Sequence, residues 1–92
     1  MPLAMARHIL VKTREEAEKL LQRLKKGEPF DKLAKKYSTC NSAKRGGDLG
    51  EVSPGQMVKP IDNVIFRKPI KKVHGPVKSQ FGFHLVEVYF RD

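Results

Sequence analysis

Apolar residues recur along the chain at spacings that predict an alternation of strands and helices. The run from Ala6 to Lys12 contains Ile and Val between basic flanks, which is typical of a buried central strand. Thr13 and Glu16 then form a capping-box pattern that predicts the start of a first helix, and Gly27 is the expected residue just past its end. Four apolar residues at helical spacing form the buried stripe of this helix: Ala17, Leu20, Leu21 and Leu24.

The rest of the chain predicts two more helices, a loop and further strands. A second amphipathic helix extends from Pro29 to about Ser38, after which residues 38–55 form a glycine-rich loop around at most one short strand. Pro60 can open a third helix that ends before Pro69. Residues 73–90 contain two strands, the second strongly β-prone and central. This order predicts an α+β fold with helices packed around a small antiparallel sheet.

Length and composition indicate one soluble domain, which we place at residues 6–92. The chain has 92 residues, enough for one core, and residues 1–5 are taken as an extension or expression remnant because a second Met follows the first. Its single cysteine cannot form an internal disulfide. The sequence contains neither a membrane span nor a secretory signal. We therefore expect a cytoplasmic monomer that does not contact a membrane.

The formal net charge of +9 is compatible with binding to nucleic acid, to an acidic protein surface or to the ribosome, but it does not distinguish among these partners. Basic pairs such as Lys25-Lys26 and Lys71-Lys72 are dispersed along the chain instead of forming one block. Dispersed charge of this kind usually keeps a small domain soluble. We expect at most weak binding to nucleic acid or to an acidic surface.

Two histidines and one cysteine are the candidates for chemistry. His8 and His84 each lie inside an apolar strand, and their imidazoles can meet if the two strands pair. Taken singly, each is more typical of a hydrogen-bonded core residue than of a ligand or base. No metal or cofactor is expected, because Cys40 and the histidines lack a zinc spacing, and residues 46–50 lack the Lys-Ser/Thr end of a phosphate-binding loop. The residues alone leave the reaction open.

Four segments in order resemble the signature segments of the parvulin peptidyl-prolyl cis/trans isomerases. They span nearly the whole chain, and four segments in sequence are more specific than any one alone. The length is similar to that of minimal bacterial parvulins that consist of the catalytic domain only. The segments are residues 8–12, 42–50, 55–58 and 81–86.

The resemblance implies a parvulin/FKBP-like fold of four antiparallel strands and about four helices, the fourth a short turn near residues 41–44. It implies that His8, Cys40 and His84 form the catalytic group. The substrates would be proline-containing unfolded or flexible polypeptides, with no covalent chemistry required. Six residues would form the substrate-binding surface: Leu49, Met57, Ile61, Phe66, Ser79 and Phe81.

Two features of the chain bear on activity and selectivity. Ile61 stands where the family usually has Phe, so either Phe66 completes the proline pocket or the pocket is shallower and activity is lower. Phosphate-directed parvulins carry an arginine-containing insertion between the first strand and the first helix. Here Thr13, the predicted helix cap, follows Lys12 directly, so this insertion is absent. We therefore expect no specificity for phosphorylated substrates.

Two alternatives to an isomerase stay open at the level of the sequence. One is a non-enzymatic module of the same fold that binds nucleic acid or nascent chains through its basic surface. The other is a redox or hydrolytic cysteine enzyme, with Cys40 activated by a nearby imidazole. Ninety-two residues leave little room for the oxyanion hole and cleft that hydrolysis needs.

Overall fold

The computed structural model describes residues 2–92 and consists of a four-stranded sheet with helices on both faces. The strands are β1 (Ala4–Val11), β2 (Asp48–Val52), β3 (Val73–Ser79) and β4 (Gly82–Arg91). The α-helices are α1 (Arg14–Lys25), α2 (Phe30–Tyr37) and α3 (Lys59–Arg67), and a short 3-10 helix spans Asn41–Arg45. The predicted α+β class is confirmed, and the 3-10 helix is the fourth, short helix that the resemblance implied. No helix in this part of the chain is long and apolar enough to span a bilayer.

The sheet is antiparallel throughout and has the strand order β2-β1-β4-β3. The first and last strands are therefore the central pair, as their apolar runs predicted. They align over their whole lengths, from Ala4 opposite Arg91 to Val11 opposite Phe83, with one irregularity between Met5 and Ala6. This pairing joins the two ends of the chain and sets the register of the site.

Local signals account for the first helix. The N–H of Glu16 donates to the Thr13 hydroxyl at 3.1 Å, so Thr13 is the predicted N-cap. Gly27 follows the C-cap residue with a φ of 101°, a conformation that favours glycine. The helix therefore begins and ends where the sequence predicted.

Each face of the sheet has its own apolar core. On one face, α3 packs against β1, β3 and β4. On the other face, α1 packs against β1, β3 and β4, and α2 packs against β1. The first core contains Ala4, Ala6, Val52, Ile61, Val64, Ile65, Val86 and Val88. The second contains Ile9, Val11, Ala17, Leu20, Phe30, Leu33, Ala34 and Leu85. Because both faces are covered, the central strands are buried on both sides.

The predicted start of the folded domain at residue 6 is too late. Ala4 has no exposed surface, lies in the core under α3, and pairs with Val52 on one side and Arg91 on the other. Met5 pairs with Glu51 and Phe90. Strand pairing therefore includes two residues that the sequence assigned to an extension, while Met1 lies outside the described residues.

Candidate active site

The two histidines meet on the face of the sheet that α3 covers. His8 lies opposite Val86 and His84 lies opposite Leu10, so the two imidazoles are diagonal neighbours on adjacent strands. Their Nδ1 atoms are 3.1 Å apart, and the rings are stacked with centroids 5.3 Å apart. Each residue is only 2% exposed. The predicted meeting of the histidines is confirmed.

Burial keeps the pair uncharged. Loss of solvent, and secondly the neighbouring imidazole, lower the pKa of His8 to about 4. Burial also lowers the pKa of His84. Both rings are therefore neutral near pH 7, and each carries one N–H. Across the Nδ1 contact one ring donates and the other accepts, so one ring carries its proton on Nδ1 and the other carries it on Nε2.

Ser79 extends this contact to the surface. Its hydroxyl lies 2.6 Å from Nε2 of His84 and accepts the N–H of Phe81 at 3.1 Å. Ser79, His84 and His8 thus form one hydrogen-bonded chain that crosses three strands. The position of Ser79 beside the histidine pair agrees with what the resemblance implied. Phe81, in the turn between β3 and β4, is 59% exposed and is free to contact a ligand.

The glycine-rich loop holds the other end of this chain against β1. The C=O of Gly47 accepts the N–H of His8 at 2.9 Å, and the N–H of Gly47 donates to the C=O of Ser42 at 2.8 Å. A side chain on Gly47 would overlap the His8 carbonyl oxygen, and its φ of 85° also favours glycine. The loop is therefore a support for His8. This role was not visible in the sequence, because it depends on contact with a strand distant along the chain.

Two buried polar atoms near this support have no hydrogen-bond partner among residues 2–92. They are Nε2 of His8 and the hydroxyl oxygen of Ser42, and both residues are 2% exposed. Buried polar groups usually have partners, and exceptions are frequent at functional sites. Nothing in the residue pattern singled out Ser42.

Cys40 lies beside β1, close along the chain to these residues. The N–H of Leu10 donates to the Ser38 hydroxyl at 3.0 Å, and the N–H of Thr39 donates to the Leu10 C=O at 2.8 Å. These bonds attach the segment before Cys40 to the strand that carries His8. The thiol is partly exposed and makes no hydrogen bond within the described chain. Its role beside a prolyl bond stays a prediction.

The apolar residues expected to bind proline divide into two groups. Leu49, Met57 and Phe66 are partly buried and pack on the core under α3, so each keeps surface that a ligand can contact. Ile61 has no exposed surface. The prediction that Ile61 lines a substrate pocket is therefore wrong for this structure, because α3 turns it fully into the core, where it supports the apolar surface from below.

A small antiparallel sheet with a buried histidine pair and an adjacent apolar surface is typical of one class of folding enzyme. The family of PPIC-type peptidyl-prolyl isomerase domains matches residues 4–91. The chain belongs to this family, the parvulins.

Known members give the same assignment. The solved parvulin NmPin of Nitrosopumilus maritimus is 38% identical, covers 98% of each chain and superposes with a TM-score of 0.88. CsPin of Cenarcheaum symbiosum is 46% identical over 92% of this chain and 89% of its own, with a TM-score of 0.82. Foldase protein PrsA of Geobacillus sp. (strain WCH70) is 44% identical over 95% of this chain. The chain spans about a third of that protein's length, 32%.

Proposed function

We propose that this chain accelerates cis/trans isomerisation of X-Pro bonds in flexible polypeptides and thereby assists their folding. The observation that carries the proposal is the neutral, hydrogen-bonded pair of His8 and His84 within a parvulin domain. Leu49, Met57 and Phe66 supply partly exposed apolar surface on the same side of the sheet. Proline-containing segments of other proteins are the substrates.

Rotation about an X-Pro bond requires few catalytic groups beyond the histidine pair and the apolar surface. Rotation about the amide faces a barrier of roughly 18–20 kcal/mol from resonance, and no bond has to break. A site accelerates rotation if it holds the proline ring in an apolar surrounding and binds the twisted amide better than the planar one. Each 1.36 kcal/mol of such preference gives about tenfold in rate. Neutral imidazoles suit this task, because they present dipoles to the carbonyl without placing a charge in the core.

A proline-limited refolding assay, together with a peptide isomerisation assay, tests the proposal. We expect catalytic amounts of the protein to shorten an exchange that takes tens to hundreds of seconds unaided. Met57→Ala should lower kcat/KM by about tenfold, equivalent to about 1.4 kcal/mol of lost binding in the transition state. Phe83→Leu, a change at a partly buried apolar residue of the opposite face, serves as the control and should leave kcat/KM within about twofold. No acceleration above the spontaneous rate would overturn the proposal.

The non-enzymatic alternative receives no support from the family match or from the relatives named above. Location in a reducing cytoplasm stays a prediction, supported by the single cysteine. The monomeric state also stays a prediction.

A further inference from the structure

A shallow groove lies on the face of the sheet opposite the histidine pair, between the second half of α1 and the start of β3. Its volume is about 340 Å³. The floor is apolar and the rim is basic. Leu21, Leu24 and Val73 form the floor, and Lys25, Lys71 and Lys72 form the rim.

The rim cations have no partners among residues 2–92. The two ion pairs in this part of the chain are Arg7 with Glu87 and Arg23 with Glu28. Glu87 is the one carboxylate that lines this first hollow, and Arg7 holds it at 2.6 Å. Lys25, Lys71 and Lys72 are all exposed. The groove thus presents three uncompensated positive charges around an apolar floor.

The backbone at the rim is strained. Lys71 has a φ of 62°, the one positive φ at a non-glycine residue in the described chain. Its N–H donates to the C=O of Val88 at 2.6 Å, which holds it in place. The left-handed conformation costs roughly 1–2 kcal/mol for an ordinary residue, and glycine would avoid this cost. Strain retained where glycine would relieve it suggests that the lysine side chain itself is used.

A second hollow continues the groove. It shares Leu24, Val73 and Glu87 with the first, is also lined by Glu28 and Phe30, and has a volume of about 310 Å³. Glu28 is paired with Arg23, so it does not neutralise the lysine rim. An extended chain advances about 3.3 Å per residue, so the two hollows together accommodate a segment of several residues.

We propose that this groove binds an extended polypeptide segment in which acidic side chains flank apolar ones. It is a second contact site for client chains, remote from the prolyl site, and in this sense it rests on the proposed function. The apolar floor favours a polypeptide over a nucleic-acid duplex, whose phosphate surface offers nothing to fill it. The concave shape favours a chain over a flat bilayer. Apolar side chains contact Leu24 and Val73, and carboxylates pair with the lysine rim.

An NMR titration of the ¹⁵N-labelled protein tests this proposal without relying on isomerase activity. The probe is a proline-free peptide of glutamate and leucine, compared with a peptide in which lysine replaces glutamate. We expect amide shifts at Leu24, Lys72 and Val73 with the acidic peptide, and none at His8 or His84. Because the peptide lacks proline, this result is independent of whether the chain is an isomerase.

Two sets of variants separate the groove from the general positive charge. Replacing Lys25, Lys71 and Lys72 together with Gln should weaken peptide binding at least fivefold. Replacing three lysines elsewhere, Lys32, Lys35 and Lys59, removes the same charge and should change it less than twofold. Lys71→Gly should weaken binding while leaving the melting temperature unchanged or higher, which distinguishes a binding role from a structural one.

Several outcomes would overturn the proposal. Equal losses in the two triple variants would show that only net charge matters. Shifts confined to the histidine face, or none with millimolar peptide, would show that the groove is not a peptide site. Displacement of the peptide from the groove by a DNA duplex or by vesicles of anionic phospholipid at lower concentration would assign it to a different class of ligand.

Discussion

At the scale of single residues, the histidine pair is part of the core, but the contact between its two rings depends on how they are protonated. Two imidazoles with Nδ1 atoms 3.1 Å apart cannot both carry a proton on those atoms. Protonating both rings would place two like charges in a buried site, whereas the neutral pair completes a chain that ends at Ser79. Burial therefore makes the neutral form of the pair the more stable one.

Because the folded protein disfavours protonation of these histidines, we expect it to lose stability in acid. The folded pKa of His8, about 4, lies below its unfolded value of 6.5, so between these values the unfolded chain binds a proton that the folded chain excludes. The contribution is fully present above about pH 6.5 and is lost as pH falls to about 4, by up to about 3 kcal/mol. The lowered pKa of His84 acts in the same direction. Urea unfolding at several pH values measures the effect.

The matched variant for this experiment is His8→Gln, which keeps a polar side chain and removes the titration. We expect it to be less stable than the parent at neutral pH and to lose less stability on acidification. An unchanged pH dependence would show that His8 is not the group responsible. A direct NMR titration of the imidazole gives an independent reading.

At the scale of elements, α3 decides how the apolar surface of the site is built. Ile61, Val64 and Ile65 turn inward to the core, while Phe66 stays partly exposed. The helical period therefore places Ile61 in the core beneath the apolar surface and Phe66 on the side where it can contact a ligand. An aromatic residue at position 61 would have to enter a core that is already filled.

Ile61→Phe should accordingly lower stability and leave activity no higher. Overpacking a filled core typically costs about 1–3 kcal/mol, whereas the volume-conserving control Ile61→Leu should cost less than about 1.5 kcal/mol. Urea unfolding measures the first effect, and kcat/KM on a short peptide measures the second. A Phe variant of normal stability with higher kcat/KM would show that α3 moves to open a deeper pocket.

At the scale of the whole molecule, positive charge is plentiful but not organised for phosphate near the first helix. Only Lys12 and Thr13 separate β1 from α1, so no inserted loop is present there. The guanidinium of Arg14 lies over the ring of Phe83, 5.3 Å from its centre. A bidentate grip on phosphate needs a free arginine fork, and here the nearest arginine is already in contact with an aromatic ring.

We therefore expect no strong preference for phosphoserine before the substrate proline. Matched peptides with Leu, Glu and phosphoserine at that position should differ in kcat/KM by about tenfold or less at physiological salt. The net charge should favour the acidic peptides mildly at low salt, because exposed charges are screened. A phosphoserine preference of about 100-fold that persists at high salt, equivalent to about 2.7 kcal/mol, would reveal a phosphate site elsewhere.

Local patterns were enough to predict the elements and their class. Thr13 and Gly27 delimit α1 through capping and backbone geometry that depend only on neighbouring residues. Alternation along the strands assigned each histidine to one face, and the parvulin resemblance named the residues that the structure brings together, His8, His84 and Ser79.

The tertiary structure determined the contacts between distant segments, which the periodicity of the sequence does not predict. The pairing of β1 with β4 sets the 3.1 Å contact between residues that are 76 positions apart, and burial lowers the pKa of His8, which favours the neutral pair. Gly47 supports His8 only because the loop folds back on β1. Ile61 is fully buried because α3 lies on the sheet. Helical spacing predicts which side of a helix faces the core, but it does not predict how deeply a residue on that side is buried. Hydrogen bonding and burial of this kind arise between distant segments, so they exist only once the chain has folded.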